Sequence, residues 1–254
     1  MARKPGTERT SERPRELLLL KLLPNLISVL ALCSGLTAIR FGIDGRFPMA
    51  ILLIGIAAAL DGLDGRLARM LKSESAIGAE LDSLCDLVNF GVTPALVLYL
   101  WALRVETNFG WIAVLVYVVC CMLRLARFNV GSRTEGETAE KTTFVGVPSP
   151  AGALLALVPM YLTFTFNNAF VVPPVLVAFW MMGIGALLIS KVRTPSLKRI
   201  TIAAEYARYA LVGSVMVVAA LLTYPWVTLL TLSLAYLAAI LSLFLRSVRS
   251  TRQL

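Results

Sequence analysis

The sequence contains no histidine, so the usual general base at neutral pH is absent and any proton transfer falls to another side chain. Charge is scarce: Asp, Glu, Lys and Arg make up 15% of the 254 residues, against 58% hydrophobic residues. With a mean hydropathy of +0.79, that balance excludes an ordinary soluble domain, which breaks its apolar runs more often. Cysteine is also scarce. Cys33, Cys85, Cys120 and Cys121 all fall inside apolar stretches without metal-ligand spacing, and read as buried structural residues. A basic surface interleaved with stacking aromatics is missing too, so the net charge of +9 does not point to nucleic acid. Residues 1–15 are polar and charge-mixed, too poor in apolar residues for a signal peptide, and are expected to be disordered. Neither an internal repeat nor a low-complexity segment is present.

What the chain has is apolar length. Runs over 22–41, 48–67, 84–103, 109–123, 151–166, 174–189, 207–222 and 226–245 each approach the ~20 residues that a helix needs to cross a bilayer. The expected fold is all-α: a polytopic membrane bundle of about eight helices. A cytoplasmic segment (1–21) precedes one membrane domain (22–246), and a short cytoplasmic tail follows (247–254). Eight spans put both termini on one side, with the loops after spans two, four and six. All of the 24 basic residues except Arg40, Arg46 and Arg104 fall on that side. By the positive-inside rule it is cytoplasmic, and attraction to anionic lipid heads accounts for the remaining basicity.

Four aspartates stand at that cytoplasmic edge, within "DGLDGRLARMLKSESAIGAELDSLCD" (61–86). Asp61, Asp64, Gly65, Ala68 and Arg69 recur at three- and four-residue spacing. At about 100° per residue they share one helix face within an arc of about 140°. Gly78, Asp82 and Asp86 recur every fourth residue, within about 80° on a second helix. "KSES" between them is polar, with Ser75 a candidate N-cap. Two helices meeting through that turn bring two pairs of carboxylates face to face, which is untenable without cations. An oxygen-only ligand set argues for Mg²⁺ or Mn²⁺, and four carboxylates for two ions. Gly65, Ala68 and Gly78 remove bulk where a ligand must approach, and the planar fork of Arg69 suits phosphate oxygens. Together they describe a diphosphate site for in-line displacement at phosphorus. A cation-coupled transporter more often holds its carboxylates at mid-bilayer, and a non-catalytic scaffold has no use for them.

The pattern D-x-x-D-G-x-x-A-R-x8-G-x3-D-x3-D resembles the signature of the CDP-alcohol phosphatidyltransferases, matched at Asp61, Asp64, Gly65, Ala68, Arg69, Gly78, Asp82 and Asp86. The resemblance implies a membrane enzyme, usually a homodimer, that moves the phosphatidyl group of CDP-diacylglycerol to a small alcohol and releases CMP. It also implies that Asp61, Asp64 and Asp82 are metal ligands and that Asp86 is the general base and a further ligand. Gly65, Ala68, Arg69, Gly78 and Asn25 are then expected at the CDP-diacylglycerol. Asn25, beside Pro24, reads equally as a mere helix-start marker.

Further stretches narrow the acceptor alcohol. "SLCDLVNFGVTPA", "RLARFN", "FVGVPSPAGA" and "PNLIS…SG" resemble segments of the bacterial phosphatidylserine synthases. That resemblance implies L-serine as acceptor and a bacterial inner membrane as location; glycerol 3-phosphate, inositol phosphate and choline are the alternatives. Asn89 stands where a serine is usual in those enzymes and Ala31 where an asparagine is frequent. A serine carboxylate calls for a nearby cation, and Arg124, Arg127, Lys191 and Arg193 are the candidates. Arg124 and Arg127 read equally as snorkelling anchors of a helix end.

Overall fold

The structure, a computed structural model, describes residues 13–71, 73, 75–105, 107–134, 144–167, 169–190, 193–194 and 204–251. The first helix, α1 (Arg13–Ile43), turns at Gly45 into α2 (Phe47–Met70). Gly45 has φ 72°, a left-handed conformation suited to glycine, and the Arg46 N–H closes the turn on Phe41 O at 2.8 Å. Among the described residues this helix pair is the most extensive. It is tied mid-span by Ser34, whose hydroxyl donates to Leu53 O at 2.9 Å.

After a short turn comes one continuous helix over Ala76–Leu103. It consists of α3 (Ala76–Asp86), a π-helical turn (Leu87–Val92), α4 (Thr93–Leu98) and a second π-helical turn (Tyr99–Leu103). Then follow α5 (Thr107–Thr134), α6 (Ser149–Ala156), α7 (Val158–Thr165), α8 (Pro174–Ile189), α9 (Ala204–Thr223) and α10 (Pro225–Thr251). A two-residue antiparallel pair, β1 (Phe144–Val145) with β2 (Arg193–Thr194), joins the segments before α6 and after α8.

Two of the prolines in these apolar helices, Pro94 and Pro159, are accommodated by the same device. Pro94 has no N–H, which releases the carbonyl of Phe90 four residues earlier; Tyr117 of α5 donates its hydroxyl to that carbonyl at 3.0 Å. Pro159 releases Leu155 in the same way, and Trp180 Nε1 of α8 donates there at 2.9 Å. Each exchange replaces a lost intrahelical bond by a bond between helices, so the chain is locked at the positions where it is locally weakened. Small residues set the approach of α5 and α8: a Cβ on Gly185 would stand 3.3 Å from Tyr117 Cα. The buried core gathers Ile54, Leu98, Tyr117, Leu155, Met160 and Met181, while Leu52, Leu115, Val119 and Met216 are exposed on the outer faces of the helices.

The helical, multi-pass reading holds, with several boundaries corrected. Residues 13–15 were expected to be disordered, yet α1 begins at Arg13. Pro14 sits in its first turn, where a missing N–H costs nothing, and Glu16 and the leucines after it favour helix. Pro24 consequently lies inside the helix rather than at its start. The third span begins at Ala76, not residue 84, because the acidic segment runs on into the apolar one without a break. The fifth divides into α6 and α7 beside Pro159. Five helices among the described residues are long and apolar enough to cross a membrane, while Pro174–Ile189 and Val212–Thr223 are apolar but shorter, so the expected count of eight is not reproduced.

Tyr117→Phe strands the Phe90 carbonyl in the core and is expected to cost about 1–2 kcal/mol. The readout is a lower apparent melting temperature in detergent at unchanged helical content; an unaltered midpoint contradicts the proline account.

Candidate active site

The acidic residues converge where α2 ends and α3 begins. Ser75 caps α3, its hydroxyl accepting the Gly78 N–H at 3.0 Å, as its place before an apolar run suggests. The turn so formed brings carboxylate oxygens of Asp61, Asp64 and Asp82 within 4.8 Å of one another. Asp64 is the deepest, 3% exposed; Asp61 and Asp82 are half-buried. Asp86 stands one turn further along α3, where the charges of Asp61 and Asp82 act on its carboxyl.

Two observations test whether a cation fits. Oδ1 of Asp64 and Oδ1 of Asp86 are both buried without a hydrogen-bond partner, a costly state for a carboxylate oxygen. The donor set is also entirely oxygen, as a hard divalent ion requires. The residues present fit such an ion.

The glycines divide into two kinds. A Cβ on Gly78 would stand 3.0 Å from both Asn25 Oδ1 and Ser75 Oγ, so glycine here admits Asn25 of α1 against the second acidic helix. Gly65 is different: nothing stands within 4 Å of where its Cβ would be. Arg69 donates from Nε to Gly65 O at 2.8 Å, which holds its guanidinium beside that open surface. Ala68 is half-buried on the same helix.

The four basic candidates separate. Arg124 is half-buried, and its charge acts on Asp86. Its Nη1 donates to Ser149 Oγ, while its Nε is buried without a partner. Arg127, expected to share its helix face, is exposed and donates from Nη1 to Ile189 O at 3.0 Å, so it caps the carbonyl end of α8. Of Arg193 only the backbone is described, paired through β2 with Val145. Lys191 lies outside the described residues.

Residues that the spacing did not single out complete the surroundings. Ser28 donates to Asp64 Oδ2 at 2.6 Å, and Ser83 of α3 exchanges hydrogen bonds with Asn129 of α5 at 3.0–3.1 Å. Ser149 is fully buried and holds Arg124. Polar residues within "PNLIS", "RLARFN" and "VPSPAGA" were the available signal; their helical faces were not. Asn89, the departure from serine, is buried with Oδ1 unpartnered, pressed against Gly35 of α1 where any Cβ would collide with it. Ala31 is buried nearby on α1.

A family model for the CDP-alcohol phosphatidyltransferases matches residues 21–192, and one for CDP-alcohol phosphatidyltransferase 2 matches 205–240. The chain belongs to the CDP-alcohol phosphatidyltransferase family. It is similar to a CDP-diacylglycerol–serine O-phosphatidyltransferase of Mycobacterium tuberculosis, 40% identical over 87% of this chain and 77% of that protein. Proteins of the same name from Helicobacter pylori, 34% identical over 71% of this chain and 75% of theirs, and from Bacillus subtilis, 34% identical over 70% and 92%, are also similar. An archaetidylserine synthase of Methanothermobacter thermautotrophicus is 34% identical over 68% of this chain and 69% of that protein. This transferase is thus multi-pass in membrane and has an acidic cluster that can hold a divalent cation.

Mn²⁺ at about a hundred times its dissociation constant is expected to stabilise the purified transferase by about 2.7 kcal/mol, an effect that chelation reverses. Asp82→Asn is expected to abolish most of that stabilisation, read as the metal-dependent shift in melting temperature. An equal shift in the variant would place the ion elsewhere.

Proposed function

We propose that this enzyme transfers the phosphatidyl group of CDP-diacylglycerol to L-serine, giving phosphatidylserine and CMP. The observation that carries the acceptor is one half-buried guanidinium, Arg124, whose field reaches Asp86. A carboxylate-bearing alcohol suits one such cation, which can pair with its single negative charge, whereas a phosphorylated acceptor calls for several. The serine transferases of Mycobacterium, Helicobacter and Bacillus to which this chain is similar support the same reading.

Asp61, Asp64 and Asp82 hold Mg²⁺ or Mn²⁺, and Asp86 completes a place for a second ion. When bound, the ions supply positive charge to the diphosphate oxygens and to the departing CMP. Arg69 takes a phosphate oxygen of the same diphosphate. The open surface at Gly65 and Ala68 accepts the nucleotide, and Asn25, lodged against Gly78, lines its edge. CDP-diacylglycerol enters sideways from the leaflet with its acyl chains still in lipid.

Serine comes from the aqueous side. Arg124 holds its carboxylate, which aims the hydroxyl at the β-phosphorus. The Asp86 carboxylate takes the hydroxyl proton as the serine oxygen–phosphorus bond forms and the bond to CMP breaks. Ser149 keeps Arg124 in place, and Arg127 serves α8 rather than the acceptor. The site and both termini face the cytoplasm, in keeping with the distribution of basic residues, and the working unit is a homodimer.

Purified enzyme given CDP-diacylglycerol, metal and a panel of labelled alcohols is expected to make lipid from serine and not from glycerol 3-phosphate, inositol phosphate or choline. In the serine arm, Arg124→Ala should raise KM for serine by about 10–100-fold, the worth of one charge-assisted hydrogen bond, with KM for CDP-diacylglycerol little changed. Lipid formed from another alcohol instead overturns the acceptor assignment.

A further inference from the structure

Asp64 is the most enclosed member of the acidic cluster, and it receives a bond from a helix outside the signature. Ser28 of α1, 5% exposed, donates its hydroxyl to Asp64 Oδ2 at 2.6 Å. The same hydroxyl lies 3.2 Å from Pro24 O, the helical carbonyl to which a serine ordinarily turns back. A hydroxyl has one proton. The shorter contact, to a charged acceptor, is the stronger of the two, so the proton is directed across the helix pair and not into α1. The consequence falls on the other oxygen. With Oδ2 engaged, the carboxylate plane is fixed, and Oδ1 is left buried without a partner.

We propose that Ser28 is a positioning residue: its bond to Oδ2 sets the orientation of Asp64 and reserves Oδ1 as the oxygen offered to the divalent cation. The inference rests on the metal reading of the Asp61, Asp64 and Asp82 cluster and adds a residue to it. An outer bond of this kind does two things for a ligand. It removes the rotational freedom that the carboxylate would otherwise lose on binding, and it occupies the oxygen that would compete for a different geometry. Asp64 has special need of it, because water reaches the half-buried Asp61 and Asp82 more readily than the buried Asp64.

Ser34 supplies an internal control. It lies on the same helix, is similarly buried and also bonds to α2, but to a backbone carbonyl, that of Leu53. A role in holding α1 against α2 is common to both serines; an effect on the cation belongs to Ser28 alone.

The test is titration of the full-length protein in detergent with Mn²⁺, following free Mn²⁺ by electron paramagnetic resonance, alongside melting temperatures without metal. Ser28→Ala is expected to weaken Mn²⁺ binding by about 10–100-fold. Ser34→Ala should leave it within about twofold, and Ser28→Thr, which keeps the hydroxyl, should recover most of the loss. Where Ser28→Ala does not fold, Ser28→Cys, of nearly the same volume but a weaker donor, is expected to show the same weakening. Wild-type affinity in the Ala or Cys variant overturns the proposal, as does an equal loss in Ser34→Ala or a Thr variant as weak as Ala. A wild-type protein that takes up no Mn²⁺ overturns the metal reading itself, a different outcome from an unaffected Ser28 variant.

Discussion

Like charges gathered beside hydrocarbon repel one another across a medium that screens them poorly. That constraint organises the half of the molecule that carries the aspartate signature. Asp61, Asp64 and Asp82 present oxygens within 4.8 Å of one another, and two carboxylate oxygens nearby, on Asp64 and Asp86, have no hydrogen-bond partner. A protein gains nothing in stability from such an arrangement; it becomes tolerable when protons or cations neutralise it, and the oxygens are placed for a cation. The strain of the cluster and its readiness to bind are therefore the same physical fact.

Holding the carboxylates in that relation demands stiff helices, although the sequence places prolines among them. The device at Pro94 and Pro159 resolves this. Each proline frees a carbonyl, and a polar aromatic from a neighbouring helix, Tyr117 or Trp180, takes it. At Pro94 the adjoining π-helical turn begins directly after Asp86, so the segment bearing the last aspartate is anchored by α5, which also carries Arg124. One helix thus fixes both the backbone behind Asp86 and the cation in front of it. From the other side α1 contributes through close contacts: Asn25 against Gly78, Ser28 to Asp64 and Gly35 against Asn89.

Much of this was legible in residue spacing. Carboxylates at three- and four-residue intervals share a face whatever surrounds them, and Ser75 before an apolar run is a cap by local chemistry alone. Helix ends were less legible, since Arg13–Arg15 and Ala76–Asp86 are polar yet continuous with apolar helices, and polarity marks where a chain meets water, not where a helix stops. Gly78 and Gly65 were both read as room for a ligand; the structure sets Asn25 against Gly78 and, of these two, leaves the open surface at Gly65. Arg124 and Arg127 look equivalent in sequence at three-residue spacing. They differ because one bonds to Ser149 and the other to the end of α8, a distinction made by partners remote in the chain. Ser28 was invisible for the same reason, being 36 residues from its acceptor.

The proposed chemistry depends on where cations sit. Anomalous diffraction from Mn²⁺-soaked crystals locates them without reference to turnover. Peaks are expected among Asp61, Asp64, Asp82 and Asp86, with Asp64 coordinating through Oδ1 and Ser28 still bonded to Oδ2. Peaks elsewhere, or carboxylates splayed apart with no manganese between them, would contradict that chemistry.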